Sequence, residues 1–193
     1  MIAMESTGVY WKPLYNLFEI LGLPAMVVNA SHMKALPGRK THIKDAEWIA
    51  DLLRHGLLKA SYIPDREQRE LREIARYRKS LAEEKAREVN RLQKILEGTN
   101  IKLDSVVADV FGKSSRKLLD SIVMDKELST NEVSEMIHGR MRKNLDSIML
   151  SIEGITTLLQ RKLLAAVIDH IDDMTKRISD MDDLIKDYMT QYE

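Results

Sequence analysis

Residues 65–98 read DREQRELREIARYRKSLAEEKAREVNRLQKILEG. Asp65 with Gln68 three residues on is a capping-box pattern, and Pro64 stands just ahead of it. From Arg66 to Glu97 nothing breaks a helix until Gly98. Leu71, Ile74, Ala75, Leu81, Ala82, Val89, Leu92, Ile95 and Leu96 recur at helical spacing and form one apolar stripe. At the standard rise such a helix is roughly 48 Å long. One element of that length in a chain of 193 residues predicts a mainly α fold.

Toward the C-terminus the helical signal persists. Two short helices are expected around Ser105–Phe111 and Ser114–Met124, with Gly112 between them. Ser129 and Glu132 form a second capping box ahead of Val133, Met136 and Ile137. Beyond Gly154, Leu164, Val167, Ile171, Met174, Ile178, Met181, Ile185 and Tyr188 alternate steps of three and four, a heptad seam flanked by Asp172, Asp173, Asp182 and Asp183. Such a seam needs a partner. It either packs within the chain on the 66–97 helix or pairs with another copy. A strict a/d stripe is narrower than a core-facing helix needs, which favours the second.

Toward the N-terminus the pattern changes. Val9 to Leu21 reads as an amphipathic helix with Tyr10, Leu14, Leu17, Phe18 and Leu21 on one face, stopped by Gly22. Ala25 to Val28 is a short apolar run that suits a buried strand. After the loop Leu36–Lys40, a helix is expected from about Thr41 to His55, with Ala46, Ile49, Ala50 and Leu53 inward and Gly56 as its cap. One clear strand cannot make a sheet, so this α/β part looks incomplete.

Composition agrees. Aromatics are 5% and hydrophobic residues 44%, enough for a helix-rich folded core. Cysteine is absent, which excludes disulfides and thiolate metal sites and fits a cytoplasmic location. No apolar run reaches the length of a membrane span, so no membrane partner is expected. The formal net charge is zero, but residues 1–120 carry 21 Lys and Arg against 16 Asp and Glu, and residues 121–193 carry 9 against 14. The split of +5 and −5 suggests that one half faces a polyanion.

Two phrases, MESTG around Glu5 and PGRKTHIKDAEWIADLLRHG over residues 37–56, carry a resemblance. They resemble insertion-sequence transposases with a RuvC-like, DEDD-type nuclease domain, the IS one-ten family. There a Glu ends a core strand, and a later phrase puts two Asp one helical turn apart. Those acids, with an Asp on the first strand, hold divalent metal against a phosphate. The similarity continues through Tyr62–Pro64, Glu70–Arg72 and Asn90–Lys94. It implies catalytic roles for Glu5 and Asp45, Mg²⁺ as the cofactor of the intact enzyme, and DNA and guide RNA as partners.

The departures are informative. The family's opening strands, with their Asp, are missing; His42 stands where the first Asp of the pair belongs; and the C-terminal domain with its nucleophilic Ser is absent. The expectation is therefore a chain truncated at both ends and unable to cut DNA alone. Glu5, His42 and Asp45 are the remaining candidate metal ligands. Imidazole supplies a softer ligand and one charge less than a carboxylate, so an inert remnant with no bound ion is favoured over a working site.

The basic residues of the long helix are the candidate nucleic-acid ligands: Arg66, Arg69, Arg72, Arg76, Arg78, Lys79, Arg87, Arg91 and Lys94, with Arg39 and Lys40 from the preceding loop. Interleaved Glu also suits a plainly solvated helix laced by i,i+4 ion pairs. Arg forks grip phosphate bidentately, and together with the resemblance this favours phosphate contact.

The expected fold is mainly α with a small α/β part. A partial RNase H-like (RuvC-like) remnant occupies 1–64. A long basic helix and short helices complete the N-terminal transposase domain over 65–126. A helical, coiled-coil linker fills 127–193 and mediates homo-oligomers through Leu164–Tyr188. The expected function is that of a nucleic-acid-binding transposase fragment. The competing readings are a non-catalytic nucleic-acid-binding or dimerisation protein that modulates a full-length relative, and a gene remnant.

Overall fold

A computed structural model describes residues 1–29 and 42–190, without the side chains of 42–45 and 140. The expected loop residues Arg39 and Lys40 lie outside them. The fold is mainly α, with one small parallel sheet. The chain divides into two compact units, Met1–Arg69 and Glu70–Glu193.

In the first unit, strand β1 (Ile2–Glu5) pairs in parallel with β2 (Ala25–Val28), Ile2 opposite Ala25 and Glu5 opposite Val28. Helix α1 (Trp11–Ile20) supplies the crossover that a parallel pair requires. Gly22, at φ +65°, lets the Leu23 N–H reach back to the Phe18 carbonyl at 2.8 Å and ends α1. Helix α2 (His42–Arg54) brings Trp48, Ile49 and Leu52 onto Val28, Met26 and Leu58. The opposite edge of β2 is met by an antiparallel bridge from Val28 to Ala60 and by the Ser61 N–H on the Val27 carbonyl, 2.7 Å.

Three expectations need correction here. A sheet does form, because Ile2–Glu5 is a strand; four residues against the chain start give periodicity nothing to register. Ala25–Val28 is therefore paired. Tyr10, Leu14, Leu17 and Leu21 of the expected apolar face are exposed, while Trp11, Tyr15 and Phe18 are the half-buried aromatic residues of that stretch. On α2 the inward residues are Trp48, Ile49, Leu52 and Leu53, not Ala46 and Ala50.

The second unit holds most of helix α3 (Arg66–Glu97), a 3-10 turn at Leu103–Ser105, α4 (Lys113–Val123), α5 (Thr130–Met136), a 3-10 stretch at Gly139–Asn144, α6 (Leu145–Ser151) and α7 (Leu158–Thr190). Its core gathers Leu92 and Leu96 of α3, Leu118 and Leu119 of α4, Val133 of α5, Ile148 of α6 and Leu164, Val167, Ile168, Ile171 and Met174 of α7. Ser129 caps α5 as expected: its hydroxyl accepts from the Glu132 N–H at 3.4 Å, and its own N–H donates to the Glu132 carboxylate at 3.0 Å. The helix expected over Ser105–Phe111 is a turn instead. Val106, Val107 and Val110 are stiff at χ1 and poor helix formers, and the core claims Val107 and Val110 directly.

The seam on α7 also differs from its expected use. Leu164, Val167, Ile171 and Met174 are buried within the chain's own core, and Ile178, Met181, Ile185 and Tyr188 are half-buried. Helices α3 and α7 lie antiparallel, with Glu70 beside Tyr188 and Arg78 beside Asp182. The half of the seam that was to face another copy at Leu164–Met174 is filled internally. Three residues of its acidic flank find arginines of the same chain: Asp182 meets Arg78, Asp172 meets Arg116, and Asp173 meets Arg177 of its own helix.

Candidate nucleic-acid interface

At 100° per residue, the buried side of α3 is set by Leu81, Glu88, Leu92 and Leu96. The cations sort themselves by where they fall around that axis. Arg69 is engaged in the first unit. Its guanidinium donates to Glu19 at 2.5 and 3.2 Å, to Asn16 and to the Pro64 carbonyl, and it sits 5.3 Å over the Tyr15 ring. The Glu19 hydrogen bond raises its pKa, against a smaller opposing effect of burial. Arg78 holds Asp182, and Arg91 donates twice to Glu88, at 2.7 and 2.9 Å. Lys79 lies 3.7 Å from Glu83. Arg66 also has a partner.

What remains is compact. Arg72, Arg76 and Arg87 are exposed on the side opposite the core and, among the described residues, have no ion-pair or hydrogen-bond partner. From Arg72 to Arg87 the helix rises roughly 22 Å. Lys94 falls on the same side and is likewise exposed, with no ion-pair or hydrogen-bond partner among the described residues. Asn90, exposed between Arg87 and Lys94, adds a neutral donor that a census of cations passes over. Glu83 interrupts the stripe and neutralises Lys79. A protein with free guanidinium groups held on one rigid face can bind successive phosphates without reading bases.

The expected metal ligands are less fully in view. Glu5 ends β1, and its carboxylate accepts a hydrogen bond from the Thr7 hydroxyl at 2.8 Å. It is a hard oxygen donor of the type Mg²⁺ takes. His42 and Asp45 lie on the first turn of α2, one helical turn apart, but their side chains are outside the described residues. Among the described residues no three His, Cys, Asp or Glu side chains converge as a metal site would require. No helix of the described residues is long and apolar enough to cross a membrane.

Comparison with known families gives one match. A family model described as a transposase, of the DEDD type of IS one-ten elements, matches residues 1–101. No curated protein and no solved structure matches the chain.

Proposed function

The chain belongs to the DEDD transposase family of IS one-ten elements, and from that premise we propose that the outer face of α3 grips a nucleic-acid backbone through Arg72, Arg76 and Arg87. The family implies DNA as the partner. The single observation that carries the reading is that these three guanidinium groups are exposed and unpaired on one face, while Arg69, Arg78 and Arg91 are spent on carboxylates within the chain.

The same face would serve guide RNA as well as DNA, because phosphate contacts carry no sequence information. An RNase H-like arrangement of the first unit is the architecture under which Glu5 and Asp45, with His42, would hold the divalent metal on which the family depends. The bound ion would stabilise charge on a phosphate. This chain's own residues would supply the ligands and the basic helix that holds the strand.

The test is salt dependence. Binding to labelled duplex DNA is followed by fluorescence anisotropy over a series of salt concentrations, for the wild type and for Arg72→Gln/Arg76→Gln/Arg87→Gln. Each lost phosphate contact flattens log affinity against log salt by about 0.9, so the triple variant is expected to lose about 2.7 from the slope. An unchanged slope overturns the reading.

A further inference from the structure

The first unit contains a cleft that the phosphate-binding reading does not use. It has a volume of about 410 Å³ and is lined by Tyr15 of α1, by Ala25, Met26 and Val27 of β2, and by Ala60 to Ile63 of the segment that follows α2. We propose that this cleft receives an unpaired nucleobase, stacked on the ring of Tyr62. The inference rests on the chain being a nucleic-acid binder.

Tyr62 is 81% exposed. A single exposed aromatic is ordinary on a protein surface. Three observations set this one apart. First, its backbone is fixed: Ser61 donates to the Val27 carbonyl at 2.7 Å, Ala60 bridges to Val28, and Pro64 is buried. The ring is thus presented from an anchored segment, which keeps the ordering cost of binding low. Second, the other ring lining the cleft is immobilised. Tyr15 meets the Trp11 ring edge-on at 5.8 Å and lies under the Arg69 guanidinium, itself locked by Glu19. Third, the lining mixes apolar residues with the polar Ser61, and Lys59 stands exposed three residues before Tyr62 without a partner among the described residues. Aromatic faces, a few polar groups and a nearby free cation are what an unstacked base with its flanking phosphate requires.

The volume fits a small ligand, being near the lower end of small-molecule sites. It is too small for a duplex. The cleft would therefore engage DNA or RNA only where a base is unpaired, at a strand end, a loop or an opened junction. Every base has a π-face, so the site would tolerate any of them.

The experiment compares binding of the full chain to one labelled oligonucleotide presented as single-stranded DNA, as single-stranded RNA and as blunt duplex DNA, at fixed salt. Tyr62→Leu is expected to weaken single-strand binding roughly 5- to 100-fold, the loss of one stacked base, and to leave duplex binding unchanged. Tyr62→Phe is expected to bind as wild type, because stacking needs the ring and not the hydroxyl. Tyr10→Leu, an equally exposed ring outside the cleft, is expected to change nothing. Loss on DNA alone or RNA alone identifies the source of the base, and either result supports the site. Single-strand affinity unaltered in Tyr62→Leu, or duplex affinity falling in parallel, overturns it. The arginine triple variant in the same assay separates the two ideas: if it loses binding while Tyr62→Leu does not, only the cleft falls.

Discussion

The guanidinium of Arg78 meets the carboxylate of Asp182 in a two-point contact, Nε to Oδ1 at 2.8 Å and Nη2 to Oδ2 at 3.1 Å. The partners are 104 residues apart in sequence and fix the register of α3 against α7. Arg78 holds Asp182 below its ordinary pKa, mainly through the hydrogen bond. Because the folded pKa is depressed, the contribution is present above the ordinary carboxylate range and is lost on acidification through the folded value.

Asp182→Asn should loosen the far ends of this helix pair without unfolding the unit. Both groups are exposed, so the effect on global stability should be small and should shrink in salt. Hydrogen exchange is expected to accelerate over residues 178–190 and to be unchanged over 164–174. Uniform acceleration through both stretches would mean that the pair does not set register locally.

Ile171 is fully buried and Leu159 is 78% exposed on the same helix. Ile171→Ala should lower the stability of the second unit by about 2–5 kcal/mol, and Leu159→Ala should stay within about 0.5 kcal/mol. Urea unfolding measures both. The midpoint should not depend on protein concentration, since Ile171 is covered by its own chain; a midpoint that rises with concentration would return the seam to an interface between copies.

Gly154 has no room for a side chain. A Cβ there would stand 2.3 Å from the Thr99 carbonyl oxygen and 2.5 Å from Ile101 Cγ1. Gly154→Ala should cost about 1–3 kcal/mol through forced displacement of that backbone, read as a lower urea midpoint. A neutral substitution would show that the 99–101 turn yields freely.

Glu132 should stay ionised far into acid. Lys126 first, then the Ser129 N–H and hydroxyl, bring its pKa from 4.5 down to about 2. The stabilising contribution is complete above about pH 4.5 and disappears as pH falls toward 2. An NMR titration of the side-chain carboxyl should show this. In Lys126→Gln the midpoint should move back toward the ordinary value; a midpoint near 4.5 already in the wild type would refute the network.

The sequence by itself determined the two long helices, the Lys113–Val123 helix and several helix ends, but not the turn over Ser105–Phe111 or the helix Leu145–Ser151. Capping residues and glycines act over four or five positions, so Asp65, Ser129, Gly22 and Gly56 could be read directly, and the 66–97 helix follows from an unbroken apolar period. The basic face was legible too, as a list of cations. Which cations are free was not. Arg69, Arg78 and Arg116 are neutralised by Glu19, Asp182 and Asp172, partners 50 or more residues away, and no local pattern encodes those meetings.

The same limit applies to the seam and to the sheet. A heptad stripe states that a helix needs an apolar partner, and the identity of that partner depends on what else condenses nearby. Here Leu92, Leu96, Leu118 and Leu119 cover Leu164–Met174 from within the chain. Strand β1 showed in the resemblance around Glu5 but not in periodicity, because four residues show too little alternation, and only pairing with β2 defines it. The Tyr15–Tyr62 cleft likewise exists only once Ser61 is tied to Val27, since tertiary hydrogen bonds, not spacing, bring the two rings to one hollow.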